Sequence, residues 1–135
     1  MMLVATSDSN PHSKAWYLDI GCSNHMTGHK EWLGDFDENR RSKIKLADSK
    51  TLSAEGMGNI LIQRKDGKIK LIKNVLYVPG MRCNLMSVGQ LVEKGFSVSM
   101  KGGMLKLFDP SLKLVLRSSL SINRTFQANI KATKV

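Results

Sequence analysis

The residues of this chain best placed to do chemistry are Asp19-Ile20-Gly21-Cys22-Ser23. The carboxylate follows the apolar run Trp16-Tyr17-Leu18, and a glycine stands two residues on. An acid at that point lies where a strand ends and the backbone turns toward solvent, one way to set a carboxylate at the mouth of a cleft. An ordinary strand-end aspartate in a turn fits the same tripeptide, because short motifs recur by accident. Cys22, His25 and His29 offer three potential metal ligands without an evident fourth, and no Cys-x-x-Cys occurs, so neither a metal nor another cofactor is expected. Cys22 and Cys83 read as reduced, small core residues.

The elements around Asp19 follow from pattern. Residues 1–14 are polar and irregular, a linker or disordered lead-in. Residues 15–18 form the first strand, and 24–39 a loop with a short helix or strand piece. Lys43-Ile44-Lys45-Leu46 alternates, Ala47-Asp48-Ser49-Lys50 is turn chemistry, and residues 51–54 return, which predicts a protruding hairpin. Asp66-Gly67 joins two alternating apolar runs, the strongest short-range hairpin signal. Residues 74–78 are a further strand, stopped by Pro79-Gly80. Ser87 and Gln90 are spaced as a capping box before Val88, Leu91 and Val92, with Leu85 and Met86 packing ahead of the helix and Gly95 closing it. Lys101-Gly102-Gly103 centres another hairpin, and residues 112–116 are a strand. Residues 117–124 read as a loop. Residues 125–130 read equally as a last short strand or a mobile tail, and 132–135 as tail. The sum is an all-β fold, a small barrel with one short helix, in one domain over residues 15–131.

At 135 residues the chain can bury a modest core, and with aromatics at 6% that core rests on Leu, Ile, Val and Met. No apolar run approaches the ~18–20 residues of a membrane span, and the start lacks a basic-then-apolar signal layout, so a cytoplasmic location without membrane contact is expected. Lys and Arg outnumber Asp and Glu by 21 to 11, for a net charge of +10. The surplus is spread along the sequence and densest at Arg40-Arg41-Ser42-Lys43-Ile44-Lys45. It fits a solvated basic surface or weak, non-specific RNA affinity.

Three motifs in order carry a resemblance: residues 16–28 (Trp-Tyr-Leu-Asp-Ile-Gly-Cys-Ser-Asn-His-Met-Thr-Gly), Asn74-Val75-Leu76-Tyr77-Val78-Pro79-Gly80, and Asn84-Leu85-Met86-Ser87-Val88-Gly89-Gln90-Leu91. The chain resembles the protease region of copia-type LTR retrotransposon Pol polyproteins, a retropepsin-like aspartic protease segment, over about residues 16–131. The resemblance implies a retropepsin-like β-barrel and an aspartic endopeptidase that cleaves Gag-Pol polyprotein peptides, in virus-like particles. Peptide hydrolysis by carboxylates needs two acids about one water, so a working site implies a homodimer with Asp19 from each copy. By resemblance Ile20, Gly21, Cys22 and Ser23 form the active-site loop, and Ala47, Asp48, Ser49 and Lys50 tip a flap. The chain then looks like an excised piece of a polyprotein, with the integrase region beyond its tail. It departs from the family at one position: the pattern is Asp-Ser-Gly or Asp-Thr-Gly, and Ile20 supplies no hydroxyl to bond across the dimer. Weak or lost catalysis is the expectation. The alternative class is a non-catalytic barrel that binds its own copy or RNA.

Overall fold

The structure, a computed structural model, describes residues 14–45, 49–63, 67–120, 126–128 and 130–134. Among these, thirteen strands, one α-helix and one 3-10 turn form a barrel-like all-β fold. Strands β1 (Trp16–Asp19), β2 (His25–Thr27), β3 (Gly34–Asp37), β6 (Gly56–Gln63), β7 (Ile69–Tyr77), β8 (Asn84–Ser87), β12 (Phe126–Ala128) and β13 (Lys131–Lys134) make the main sheet. Its order is β12-β1-β8-β2-β7-β6-β13, with β3 also on β6. Strands β4 (Ser42–Lys45) and β5 (Thr51–Ala54) pair as a separate hairpin, and β9 (Ser97–Lys101), β10 (Met104–Phe108) and β11 (Leu114–Ser119) form a three-stranded sheet.

The centre of the main sheet is buried on both faces. Trp16, Leu18, Val75 and Met86 join one core with Ile60, Ile62, Leu105 and Leu107. Met26, Leu76, Val78, Met81, Cys83 and Leu85 form a second core, with Tyr17 and Cys22 packed on it. Strands covered on both sides lose the period-2 alternation. That is why β2 and β8, buried at every residue, escape a pattern reading. Residues 24–39 accordingly hold β2, a 3-10 turn at Lys30–Trp32 and β3. Leu85 and Met86 lie in β8, a strand parallel to β1, rather than in a helix approach.

The structure departs from the sequence pattern at four other places. Residues 69–77 form one strand instead of two. Asn74 bends it with φ 62, a conformation Asn tolerates, and donates its amide to Asn59 Oδ1 at 3.2 Å where the β6–β7 register shifts. Strand β11 starts two residues late, because Leu112 takes φ 64, and then runs to Ser119 through part of the expected loop. Arg117 points out and Ser118 in, where the Ser118 hydroxyl donates to Gln127 O at 2.6 Å and removes the need for an apolar residue. Phe126–Ala128 is a strand on β1, and the expected tail is strand β13 paired with β6. Residues 1–13, Leu46, Ala47, Asp48, Asp66 and 121–125 lie outside the described residues.

Helix α1 (Val88–Glu93) ends as its sequence predicts. Gly95 takes φ +93, its amide donates to Val92 O, and the Phe96 amide donates to Leu91 O, each at 3.0 Å. Its start is only half a capping box. Ser87 Oγ accepts from the Gln90 amide at 3.0 Å, but the Gln90 side chain turns elsewhere.

Candidate functional site

Strand β1 runs between β8 and β12 and stops at Asp19, which lies opposite Ser87 of β8. Beyond it the backbone bends at Ile20-Gly21. Asp19 is buried, at 8% exposure, and its Oδ1 accepts the Gly21 amide at 2.7 Å. Asx-type bonds of this kind pin a turn from within. Gly21 is not among the residues with positive φ, so it contributes an amide rather than a left-handed backbone. Asp19 Oδ2 is buried and has no hydrogen-bond partner among the described residues. One carboxylate oxygen is therefore fixed, and the other is buried without a hydrogen-bond partner among the described residues.

Of the remaining loop residues, Ile20 projects outward at 58% exposure, Ser23 is exposed, and Cys22 is half-buried. Cys22 Sγ faces Asn24 O at 3.5 Å and Asp19 O at 3.9 Å. Burial, and then the Asp19 charge, push its pKa up to about 11. At neutral pH it rests as a thiol. Among the described residues no group of three His, Cys, Asp or Glu could hold a metal ion. His25 and His29 are engaged separately. The His29 ring stacks on Trp32 at 4.0 Å and bonds Glu31 Oε2 through Nδ1 at 2.7 Å.

What holds the acid turn is a buried polar network that the sequence pattern did not reveal. Ser87 Oγ donates to Cys22 O at 2.7 Å, tying the turn to the start of α1. The Ser87 amide donates to His25 Nδ1, and the His25 amide to Gln90 Oε1, both at 2.9 Å. Gln90 Nε2 donates to Asn74 O at 3.0 Å. Thr27 Oγ1 donates to Asn84 Oδ1 at 2.6 Å, and Asn84 Nδ2 to Ala15 O at 2.9 Å. The His25 ring accepts at Nδ1 and is neutral. Burial lowers its pKa to about 4. His25, Thr27, Asn84, Ser87 and Gln90 are thus positioning residues, the polar members of two quoted motifs. Asn84, Ser87 and Gln90 interrupt an apolar stretch with side chains able to bond on two sides, whereas His25 and Thr27 stand in a polar segment and carry no such signal.

Strand β8 slots between β1 and β2, although those two are neighbours in sequence. The turn carrying Asp19 therefore crosses the end of a strand made much later, which braces it from below. The β4–β5 hairpin rests on the second core through Ile44 and Leu52. Of its expected tip, Ser49 takes φ 71 and Lys50 is exposed, while Ala47 and Asp48 fall outside the described residues.

Residues 16–96 match the model of a family described as Pol polyprotein, beta-barrel domain. No curated protein and no solved structure matches the chain.

Proposed function

The chain belongs to the Pol polyprotein β-barrel domain family, and from that premise we propose that it is a retropepsin-like region of copia-type LTR retrotransposon descent. Its ancestral activity is cleavage of Gag-Pol peptides by a homodimer with one Asp19 per copy. The observation that carries this is the Asp19 carboxylate, with Oδ1 held by the Gly21 amide and Oδ2 buried and unpartnered. Leaving a buried acceptor unmet costs roughly 1–3 kcal/mol, which a second copy's protonated Asp19 would recover by sharing its proton once the turn shifts to uncover Oδ2.

In such a dimer one Asp19 takes a proton from water as the water oxygen bonds the scissile carbonyl carbon. The other donates its proton to the carbonyl oxygen. Collapse of that adduct breaks the C–N bond, the amine leaves with a proton, and one proton again lies between the two acids. The β4–β5 hairpin is the element suited to close over the peptide.

Ile20 sets the present rate. Its side chain stands at the apex of the turn, where the family pattern has a hydroxyl, and it gives the second copy no hydrogen bond. A reacting group displaced by about 1 Å can lose a hundredfold in rate. Ile20→Ser is therefore expected to raise cleavage of polyprotein-derived peptides by up to about that factor, with Asp19→Asn abolishing it. Equal rates for wild type and Ile20→Ser would overturn the role given to Ile20. A chain that sediments as a monomer and cleaves nothing, even as Ile20→Ser, would overturn the peptidase reading. The exposed Ile20 also favours a second reading, an assembly module that pairs with its own copy without catalysis; a dimer that cleaves nothing supports it.

A further inference from the structure

The charge of the chain is less evenly spread than its sequence first suggests. Residues 96–135 hold seven Lys and Arg against a single acid, Asp109, and so carry +6 of the net +10. Much of that charge stands on the β9–β10–β11 sheet, which lies beyond the family-matched residues. Its inner face packs Leu105, Leu107 and Leu116 into the core. Its outer face is built in cross-strand rows: Lys101, Met104 and Ser119; Ser99, Lys106 and Arg117; Ser97, Phe108 and Leu114. No Asp or Glu stands in these rows. Lys101, Lys106 and Arg117 are exposed, and none of them forms an ion pair among the described residues.

At its Leu114 end this face continues into a groove of about 300 Å³ between the starts of β7 and β11. Ile62 and Val115 help line it, together with Lys68, Lys70 and Lys113. Its one acid, Asp109, is already engaged. Oδ1 accepts the Ser111 and Lys113 amides at 2.9 Å, and Oδ2 lies 3.6 Å from Lys70 Nζ.

We propose that the outer face of the β9–β10–β11 sheet, continued into this lysine-rimmed groove, binds the backbone of single-stranded nucleic acid. Lys106 and Arg117 pair across adjacent strands about 4.8 Å apart, and Lys101 on β9 lies one row further along, a step of about 6.8 Å in the strand direction, so the face offers three positive charges at short spacing. Lys, Arg and Ser side chains are the usual phosphate donors. Met104 and the half-buried Phe108 give unstacked bases an apolar surface between the charges. An acid-free face of three short strands fits a splayed single strand better than a duplex, whose phosphates curve away. The inference is independent of Asp19 and of any peptidase activity.

The test is fluorescence anisotropy of a labelled oligouridylate with the full chain across a salt series. Replacing Lys101, Lys106 and Arg117 together by Ala removes three contacts, each worth about 0.7 in the slope of log affinity against log salt for single strands. The slope is expected to flatten by about 2, and binding at 0.1 M salt to weaken by about a hundredfold. Replacing Arg40, Arg41 and Lys43 by Ala, an equal charge loss at the densest basic run of the sequence, is expected to leave both nearly unchanged. An unchanged slope in the first triple variant, or equal losses in the two, overturns the proposal. Polyglutamate competing as well as oligouridylate at equal charge overturns it too, in favour of an acidic-peptide surface. If the first triple variant is unfolded by thermal melt, acetylation footprinting of the wild type decides. Bound oligouridylate is expected to protect Lys101 and Lys106, and absence of protection overturns the assignment.

Discussion

Lowering the pH should loosen this fold through one buried ring. His25 is 1% exposed, and its Nδ1 accepts the Ser87 amide at 2.9 Å. Protonation would put an N–H against that donor and bury a charge at the same time. The folded pKa of about 4 lies below the ordinary 6.5, so between these values the unfolded chain binds more protons. The stability that rests on neutral His25 is fully present above pH 6.5, falls as the pH drops, and is lost by about pH 4. At 1.36 kcal/mol per pH unit the whole window is worth about 3 kcal/mol, of which about 2 is lost by pH 5, before most carboxylates titrate. The assay is urea unfolding at half-unit steps from pH 7.5 to 5, for wild type and His25→Asn. The Asn Oδ1 can take the place of Nδ1 as acceptor, but it does not titrate. The variant should lose about 2 kcal/mol at pH 7.5 from the missing ring atoms and then show a much flatter pH profile. Parallel profiles for the two proteins would refute the reasoning. The consequence for the site is direct. Acid detaches the Ser87 amide from His25, and Ser87 holds the Asp19 turn through Cys22 O.

Three other outcomes are expected. Ser87→Ala removes both the helix cap and the donor to Cys22 O, and should lower the urea-derived stability by about 2 kcal/mol; a loss under 0.5 kcal/mol would contradict that double role. Gly58→Ala places a Cβ 2.9 Å from both Gly34 O and Leu33 Cβ, so β3 must move off β6 at about 1–3 kcal/mol, seen as a lower melting temperature. In a Cys83→Ser background, Cys22 should react with iodoacetamide about a hundredfold more slowly in the native than in the urea-unfolded chain at pH 8, with a rate that climbs with pH toward 11. Equal rates would mean that the thiol is not held down by burial and the Asp19 charge.

Much of the outline was legible because local rules governed it. Gly95 closed α1 where only a left-handed residue fits, the runs on either side of residues 102–103 paired as a hairpin whose short turn fixes the register, and β6 paired with β7 as expected. What was hidden is non-local. Leu85 and Met86 look like a helix approach until β1 is seen beside them, and only that pairing makes them a strand. Asn74 looks like a strand start, but it is a bend whose need arises from Asn59, fifteen residues earlier. The place of Asp19 at a strand end was readable, because an apolar run precedes it and a glycine follows two residues on. Its supports were not. His25, Thr27, Asn84 and Gln90 are polar residues that a pattern reading sends to the surface, and the fold buries them in one another's company. Sequence alone also placed the basic charge along the whole chain, whereas sheet pairing gathers Lys101, Lys106 and Arg117 on one face.

The slot that β8 occupies between β1 and β2 also dictates an order of events. Strands β1 and β2 are separated by five residues, yet they cannot zip together as a hairpin, for the place between them belongs to a segment about sixty residues downstream. Until Asn84–Ser87 has emerged and threaded in, the Asp19 turn has neither its Ser87 tether nor its neighbouring strand. Closing so long a loop is slow compared with forming the β6–β7 or β9–β10 hairpins, which need only local contacts. Asp19 therefore precedes by 68 residues the Ser87 that lies opposite it and ties its turn. The Asp19 turn is thus completed by pairing far along the chain rather than by its neighbours in sequence.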